Sequence, residues 1–223
     1  MISVIIPCLN EETQIARTLR SISQEETPHE LIVVDGGSQD RTVEAARDFA
    51  KIISSRRGRG LQMNAGAKTA LGHILLFLHA DCRLETGTLE LIEEIIQKGY
   101  IAGCLTQKIN DPAWAFRWIE QSGNMRAKCF KIFYGDQGIF VRKDVFERLN
   151  GFRPYQLFED IEFSKRVRSQ GRVGVLPKTI ETSSRRWQKK GIVRTTVLNR
   201  VLLTLYYFGV SPEKLAEWYQ EVR

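Results

Sequence analysis

Several patterns are missing from this chain of 223 residues. It has no Cys-x-x-Cys pair: Cys8, Cys82, Cys104 and Cys129 are scattered, which argues against a zinc site or a disulfide framework and fits reduced thiols in a cytoplasmic setting. It has no run of about 18 uncharged apolar residues, so no segment reads as a bilayer span. The nearest approach, 201–210, reads either as a buried helix or as an interfacial one beside Arg194 and Arg200. The Gly-x-x-x-x-Gly-Lys-Ser/Thr phosphate loop is absent, as is Gly-x-Gly-x-x-Gly after the first strand, which argues against kinase-like and nicotinamide-binding readings. Nor is there an internal repeat, a low-complexity tract or a Pro/Gly/Ser-rich linker, so the chain reads as one domain. The N-terminus is too short for a signal peptide and has no basic region; it reads as a strand that begins the fold at once.

What is present is a basic α/β sequence. Lys and Arg number 33 against 26 Asp and Glu, giving +7. An excess of that sign suits nucleic acid, an anionic membrane or a phosphorylated small substrate. Here it is concentrated in Arg56-Arg57-Gly58-Arg59 and between Arg185 and Arg200, a distribution that favours sites over a general nucleic-acid coat. Short apolar runs at 3–6, 31–34, 52–53 and 74–78 read as strands. Helical patterns lie between them: one from near Glu11, one capped by Asp40 and running to Phe49, and one over 60–71. Continuous apolar strands separated by helices predict a parallel sheet covered on both faces, with the ligand beyond the carboxyl ends of the strands. The second half is less regular. An aromatic helix is expected over 114–133, a strand at 139–141, and helices at 143–149, from Glu159 and from Ser211-Pro212.

Three strand ends carry polar groups: Asn10-Glu11, Asp35 and Asp81. A lone acid after a strand is usually a cap or turn former, but parallel topology brings these three to one edge, which favours a ligand site. Asp35 is placed to accept hydrogen bonds from a ribose or a base edge. Asp81, at the mouth of the core, suits a hard divalent cation such as Mg²⁺ or Mn²⁺ whose remaining ligands are phosphate oxygens. His79 either adds a nitrogen ligand or hydrogen-bonds within the site. The Arg56–Gly60 loop, leading into a helix, offers arginine forks and a helix N-terminus to phosphate. Asp136, in a Gly-x-x-Gly turn, either contacts sugar or simply forms the turn. Glu159-Asp160 is either a catalytic pair or a favourable acidic helix start. Trp114, Phe116, Trp118 and Phe130 either line an acceptor groove or belong to the core.

Taken in order, Ser3-Val4-Ile5-Ile6-Pro7-Cys8-Leu9-Asn10-Glu11-Glu12, Ile32-Val33-Val34-Asp35-Gly36-Gly37-Ser38-Gln39-Asp40, Phe77-Leu78-His79-Ala80-Asp81, Phe158-Glu159-Asp160 and Arg185-Arg186-Trp187 resemble the family-2 glycosyltransferases with the GT-A fold. Gln62-Met63-Asn64-Ala65-Gly66 and His79-Ala80-Asp81 are similar to a bacterial subgroup of small soluble members. The resemblance implies a GT-A α/β fold, Rossmann-like, with a mostly parallel central sheet. It implies a nucleotide-sugar-binding half at 1–103, an acceptor and catalytic half at 104–190 and C-terminal helices at 191–223. The implied activity is metal-dependent, inverting sugar transfer from a UDP- or GDP-sugar to a lipid or glycan acceptor. Pro7, Leu9, Asn10 and Glu11 match the loop around the base, Asp35 its carboxylate, and Arg59 a basic residue near the nucleotide. Asp81, with His79, matches the metal motif, Asp160 the catalytic base with Glu159 beside it, and Arg186-Trp187 the end of the Gln-x-x-Arg-Trp motif. Asp136 is added as a donor-sugar contact. Two positions depart from the family pattern: His79 replaces the metal motif's first aspartate, and Ser183 replaces the glutamine, which argues against a processive polymerase. The basic stretch before Leu202–Phe208 suggests peripheral contact with an anionic membrane on its cytoplasmic face. A nucleotidyltransferase and an inactive nucleotide-sugar-binding module are the competing readings.

Overall fold

The computed structural model describes residues 1–221. Its first half is built from the apolar runs. β1 (Ile2–Cys8), β2 (His29–Asp35), β3 (Lys51–Ser54) and β4 (Ile74–Phe77) pair in parallel in the order β3-β2-β1-β4. Side chains on a strand alternate between its two faces. In β1, Val4 and Ile6 therefore join one core and Ile5 the other, and Leu76 and Phe77 divide in the same way. α1 (Ile15–Ser23), α2 (Thr42–Ala46) and α4 (Thr88–Gln97) cover the first face through Ile15, Leu19, Ile22, Ala46, Leu89 and Ile92. α3 (Arg59–Thr69), α6 (Lys143–Arg148) and α7 (Glu159–Val167) cover the second through Met63, Ala67, Phe146 and Phe163.

The second half extends the same sheet with mixed pairing. β5 (Cys82–Leu84), β6 (Ala102–Ile109), β7 (Ile139–Arg142) and β8 (Val173–Thr182) complete the order β3-β2-β1-β4-β7-β6-β8-β5. β7 enters antiparallel between β4 and β6, whereas β6 and β8 run parallel. β5, β6 and β8 have no counterpart among the expected strands, because polar residues break their apolar runs. The expected boundary at 103/104 falls inside β6, so the sheet is continuous across it.

Several ends differ from expectation for local reasons. The first helix begins at Ile15, not near Glu11, since residues 10–14 form a loop whose Glu11 carbonyl accepts the Gln14 and Ile15 N–H groups. The second spans only Thr42–Ala46, although Asp40 still accepts the Thr42 N–H. α5 (Trp114–Phe130) stops where Lys131 takes a left-handed conformation, φ 55°, and returns its N–H to the Ala127 carbonyl. α8 (Arg185–Lys190), α9 (Ile192–Tyr207) and α10 (Pro212–Glu221) close the chain. Among the described residues, no helix is long and apolar enough to cross a membrane.

Candidate functional site

Parallel pairing puts Cys8 beside Asp35 and Asp35 beside Ser54, so the loops after β1, β2 and β3 leave the sheet at one edge. The loop Pro7–Glu11 is fixed before any ligand arrives. Asn10 donates its backbone N–H to Ser38 Oγ at 2.9 Å and accepts the Gln39 N–H on Oδ1 at 2.9 Å, while the Glu11 N–H reaches Thr42 Oγ1 at 2.7 Å. Asp35 is buried, and its carboxylate accepts the Gly37 and Ser38 N–H groups at 3.1 Å. Asp35 thereby locks the turn after β2. Its neighbour Cys8 has its thiol pushed up to about 12 by burial and by the Asp35 charge.

The Gln62–Gly66 motif explains how α3 seats on this edge. Gln62 Nε2 donates to the carbonyls of Cys8 (2.9 Å) and Val34 (2.8 Å), bolting the ends of β1 and β2 together. Asn64 exchanges two bonds with Phe152, at 2.8 and 2.9 Å, and so fixes the Gly151–Phe152 turn ahead of α7. At Gly66 any Cβ would strike Ile5, so only glycine lets the helix lie this close to the sheet.

That placement carries Arg59, the first residue of α3, to Glu159, the first of α7, at 3.5 Å. Glu159 is buried, and burial reinforced by the adjacent Asp160 charge pushes its carboxyl up to about 7 against the pull of Arg59. Asp160 accepts the Gly135 N–H on Oδ2 at 2.6 Å and the Ile161 N–H on Oδ1 at 2.7 Å. A Cβ at Gly135 would lie 2.8 Å from His79 Nε2 and 3.5 Å from Asp160 Oδ2, so the imidazole and the carboxylate both crowd the space where a side chain at this position would stand. His79 Nε2 is buried without a hydrogen-bond partner. Burial and the Arg59 cation hold its imidazole well below the usual range and hence neutral.

Asp81 lies on the other flank. Burial raises its pKa, opposed by Arg185 and, more weakly, by Arg59. Arg185 is held by Glu11 in a two-oxygen pair at 2.9 Å that spans 174 residues of sequence. The two arginines that act on the Asp81 carboxylate are thus anchored on glutamates, Arg185 on Glu11 and Arg59 on Glu159. A cavity of about 300 Å³ opens beside Asp81, lined among others by Arg17, Arg83, Asn110, Ser183 and Arg185. That volume is at the small end for a ligand pocket.

Among the described residues, no three His, Cys, Asp or Glu side chains converge on a metal position. Asp81 alone, a partly buried carboxylate facing a cavity with nearby cations, fits a divalent ion whose remaining ligands come from a diphosphate and water. His79 faces Gly135 and Asp160 in a buried setting.

The other expected residues are spread more widely. Asp136 accepts Gln107 Nε2 at 2.7 Å on one oxygen, and its other oxygen is buried without a partner. It stands over a polar network in which Arg126, stacked 3.1 Å from the Tyr134 ring, donates to Gln137 Oε1 at 2.7 Å. Trp187 packs edge-on against the buried Phe116, with ring centroids 5.7 Å apart. Arg186 is exposed and lies 4.5 Å over the Tyr219 ring. Trp114, Trp118 and Phe130 are exposed on α5, outside the core. Sequence reasoning passed over Arg185, although it sits one residue before the Arg-Trp pair. The roles of Gln62 and Asn64 are likewise invisible in the sequence, because their partners, Cys8, Val34 and Phe152, lie 28 to 88 residues away.

The family model described as Glycosyl transferase family 2 matches residues 3–153. Glycosyltransferase AglE of Haloferax volcanii is 30% identical over 189 residues, covering 76% of this chain and 62% of that protein. Among solved structures, S. aureus TarS 1–349 in complex with UDP-GlcNAc superposes with a TM-score of 0.64 at 20% identity, covering 82% of this chain and 58% of that one. Mannosyltransferase PcManGT from Pyrobaculum calidifontis, in complex with GDP-Man and Mn²⁺, gives 0.65 at 24% identity, covering 81% and 56%. The chain thus spans a little over half the length of these proteins, and the structural matches confirm the GT-A fold.

Proposed function

The chain belongs to glycosyl transferase family 2, and on that premise we propose that it transfers a sugar, with inversion, from a UDP- or GDP-linked donor to a lipid or glycan acceptor. The observation that carries this reading is the position of Arg59. It is bound to Glu159 beside Asp160 and is also felt electrostatically at Asp81 and His79, so one cation joins a candidate base to a candidate diphosphate site.

In this mechanism the loop Pro7–Glu11 and Asp35 hold the nucleoside. Asp160 accepts the proton of the acceptor hydroxyl, whose oxygen forms the new bond at the anomeric carbon while the bond to the diphosphate breaks with its electron pair. The two N–H donors already on Asp160 leave lone pairs for that proton and fix the carboxylate's direction. Arg59 and Arg185 face the charge that develops on the leaving diphosphate. A divalent cation, Mn²⁺ or Mg²⁺, held by Asp81 would neutralise part of that charge. The orphaned oxygen of Asp136 suits a sugar hydroxyl. The basic C-terminal stretch supports a reading in which the protein works at the cytoplasmic face of an anionic membrane, where a lipid-linked acceptor would lie.

The test is nucleoside diphosphate release from a panel of UDP- and GDP-sugars with Mn²⁺. Release should fall at least a hundredfold in Asp81→Ala and Asp160→Asn, roughly what loss of a charge-stabilising or acid–base group costs. Release indifferent to both substitutions overturns the assignments, pyrophosphate release marks a nucleotidyltransferase, and no turnover with any donor marks a binding module.

A further inference from the structure

α5 and α9 are tied to each other at the molecular surface, where Arg200 on α9 donates to Ser122 Oγ on α5 at 3.1 Å. The inner side of α5 is formed by Phe116, Glu120, Gly123 and Ala127. Its outer side carries Trp114, Trp118, Met125 and Cys129, separated by gaps of four, seven and four residues, with Phe130 at the end. α9 buries only Thr195 and Leu202, while Val193, Val197, Val201 and Phe208 recur on the opposite side at gaps of four, four and seven. Trp114 is 75% exposed, Trp118 67%, Val193 76% and Phe208 82%. A surface helix normally turns its polar side outward. Both helices turn an apolar stripe outward, exposed surface of the kind that marks an interaction site, and the Arg200–Ser122 bond ties the two helices together.

The charge around the patch selects the occupant. From Thr182 to Pro212 the chain has no Asp or Glu but carries Arg185, Arg186, Lys189, Lys190, Arg194 and Arg200. On α5 the single acid, Glu120, is buried and paired with Arg117 at 2.8 Å. Lys128, Lys189, Arg194 and Arg200 are exposed. A second copy docking face to face would bring these cations against their own equivalents. An anionic bilayer would meet them with phosphate while taking tryptophan and valine into the headgroup boundary, the depth that indole rings favour.

We propose that the paired outer faces of α5 and α9 are the surface by which this protein lies on an anionic phospholipid bilayer, with Trp114 and Trp118 entering the interface. This deepens the membrane contact of the proposed function and assigns it mainly to a helix, α5, that lies outside the basic C-terminal stretch.

Binding of the full chain to phosphatidylcholine vesicles, with and without phosphatidylglycerol, tests the idea in the absence of any sugar donor. Binding should require the anionic lipid and weaken with salt. Brominated lipid should quench tryptophan emission, and most of that quenching should vanish in Trp114→Ser/Trp118→Ser. Reversing Lys128 and Arg194 to Glu should weaken partitioning about fivefold or more per residue. Leu71→Ser, an exposed apolar change outside both helices, should alter nothing. Because all these side chains are exposed, the variants should keep the parent's melting temperature. Equal affinity for neutral and anionic vesicles, or quenching that survives the double tryptophan variant, overturns the proposal. So does a dimer in sedimentation that Trp118→Ser dissociates. Should vesicle binding fail while Asp81→Ala still abolishes nucleotide release, the membrane surface is wrong and the sugar-transfer reading stands.

Discussion

Glu159 should make this protein less stable at neutral pH than at pH 5, and Glu159→Gln should abolish that dependence. Its side chain is only 2% exposed and meets Arg59 at 3.5 Å, a distance too long to offset burial. Its carboxyl therefore rises from an ordinary 4.5 to about 7. A group whose pKa is raised on folding holds its proton more tightly in the native state. The protein is then most stable below the unfolded value, loses stability as pH climbs from about 4.5 to about 7, and stays at the lower level above it. At about 1.4 kcal/mol per pH unit, that displacement comes to roughly 3 kcal/mol. Glutamine has nearly the same shape and never ionises. It should leave stability almost unchanged at pH 4.5 and raise it by roughly 3 kcal/mol at pH 8, or about 10 °C in Tm for a chain of this length. Thermal melts of both proteins at a series of pH values give the answer. A Tm difference that is constant across pH, or one that favours the parent at pH 8, refutes the reasoning. Sugar transfer should fall in the variant even as stability rises, because the buried charge holds Arg59 beside Asp160.

Other consequences are open to equally direct measurement. In the proposed mechanism Arg185, now held by Glu11, turns to the donor diphosphate, so Arg185→Ala should weaken nucleoside diphosphate binding about tenfold, the worth of a charge-assisted pair. Glu11→Gln should strengthen it. The nucleoside alone should respond much less in calorimetry, and equal responses from both ligands would refute the release of Arg185 to phosphate. Gln62→Ala strips the buried carbonyls of Cys8 and Val34 of a side-chain donor and should cost about 3 kcal/mol in urea denaturation. A loss below about 1 kcal/mol would mean the strand ends are held by other bonds. Gly135→Ala drives a methyl group into His79 Nε2 beside Asp160 and should lower kcat by at least tenfold with a much smaller change in KM. Unchanged kcat would show that His79 and Asp160 move independently of this glycine.

Local patterns predicted elements where burial is continuous along the chain. Val4–Ile6, Leu31–Val34 and Ile74–Phe77 are buried on both faces, so each announces a strand, and three strands divided by helices imply parallel pairing. The same logic placed Glu11, Asp35 and Asp81 near one edge before any coordinates. It failed for β5, β6 and β8. In β6, Gly103 is small because Phe140 and the Gly174 carbonyl press on it, and Gln107 faces a polar network. Such positions serve neighbours remote in sequence, and their own stretch carries no periodic signal.

The sequence by itself determined the α/β class, the parallel half-sheet, the family resemblance and the acids at the strand ends, because each depends on spacing along a few turns of chain. Tertiary structure decided what those acids do. Asp35 locks its own turn, Glu11 holds Arg185 across 174 residues, and Arg59 reaches Glu159 across 100. It also decided that Trp114 and Trp118 face outward. Helical spacing shows that two residues share a side but not which side the sheet will cover, and an ion pair between distant segments leaves no local trace until the fold brings them together.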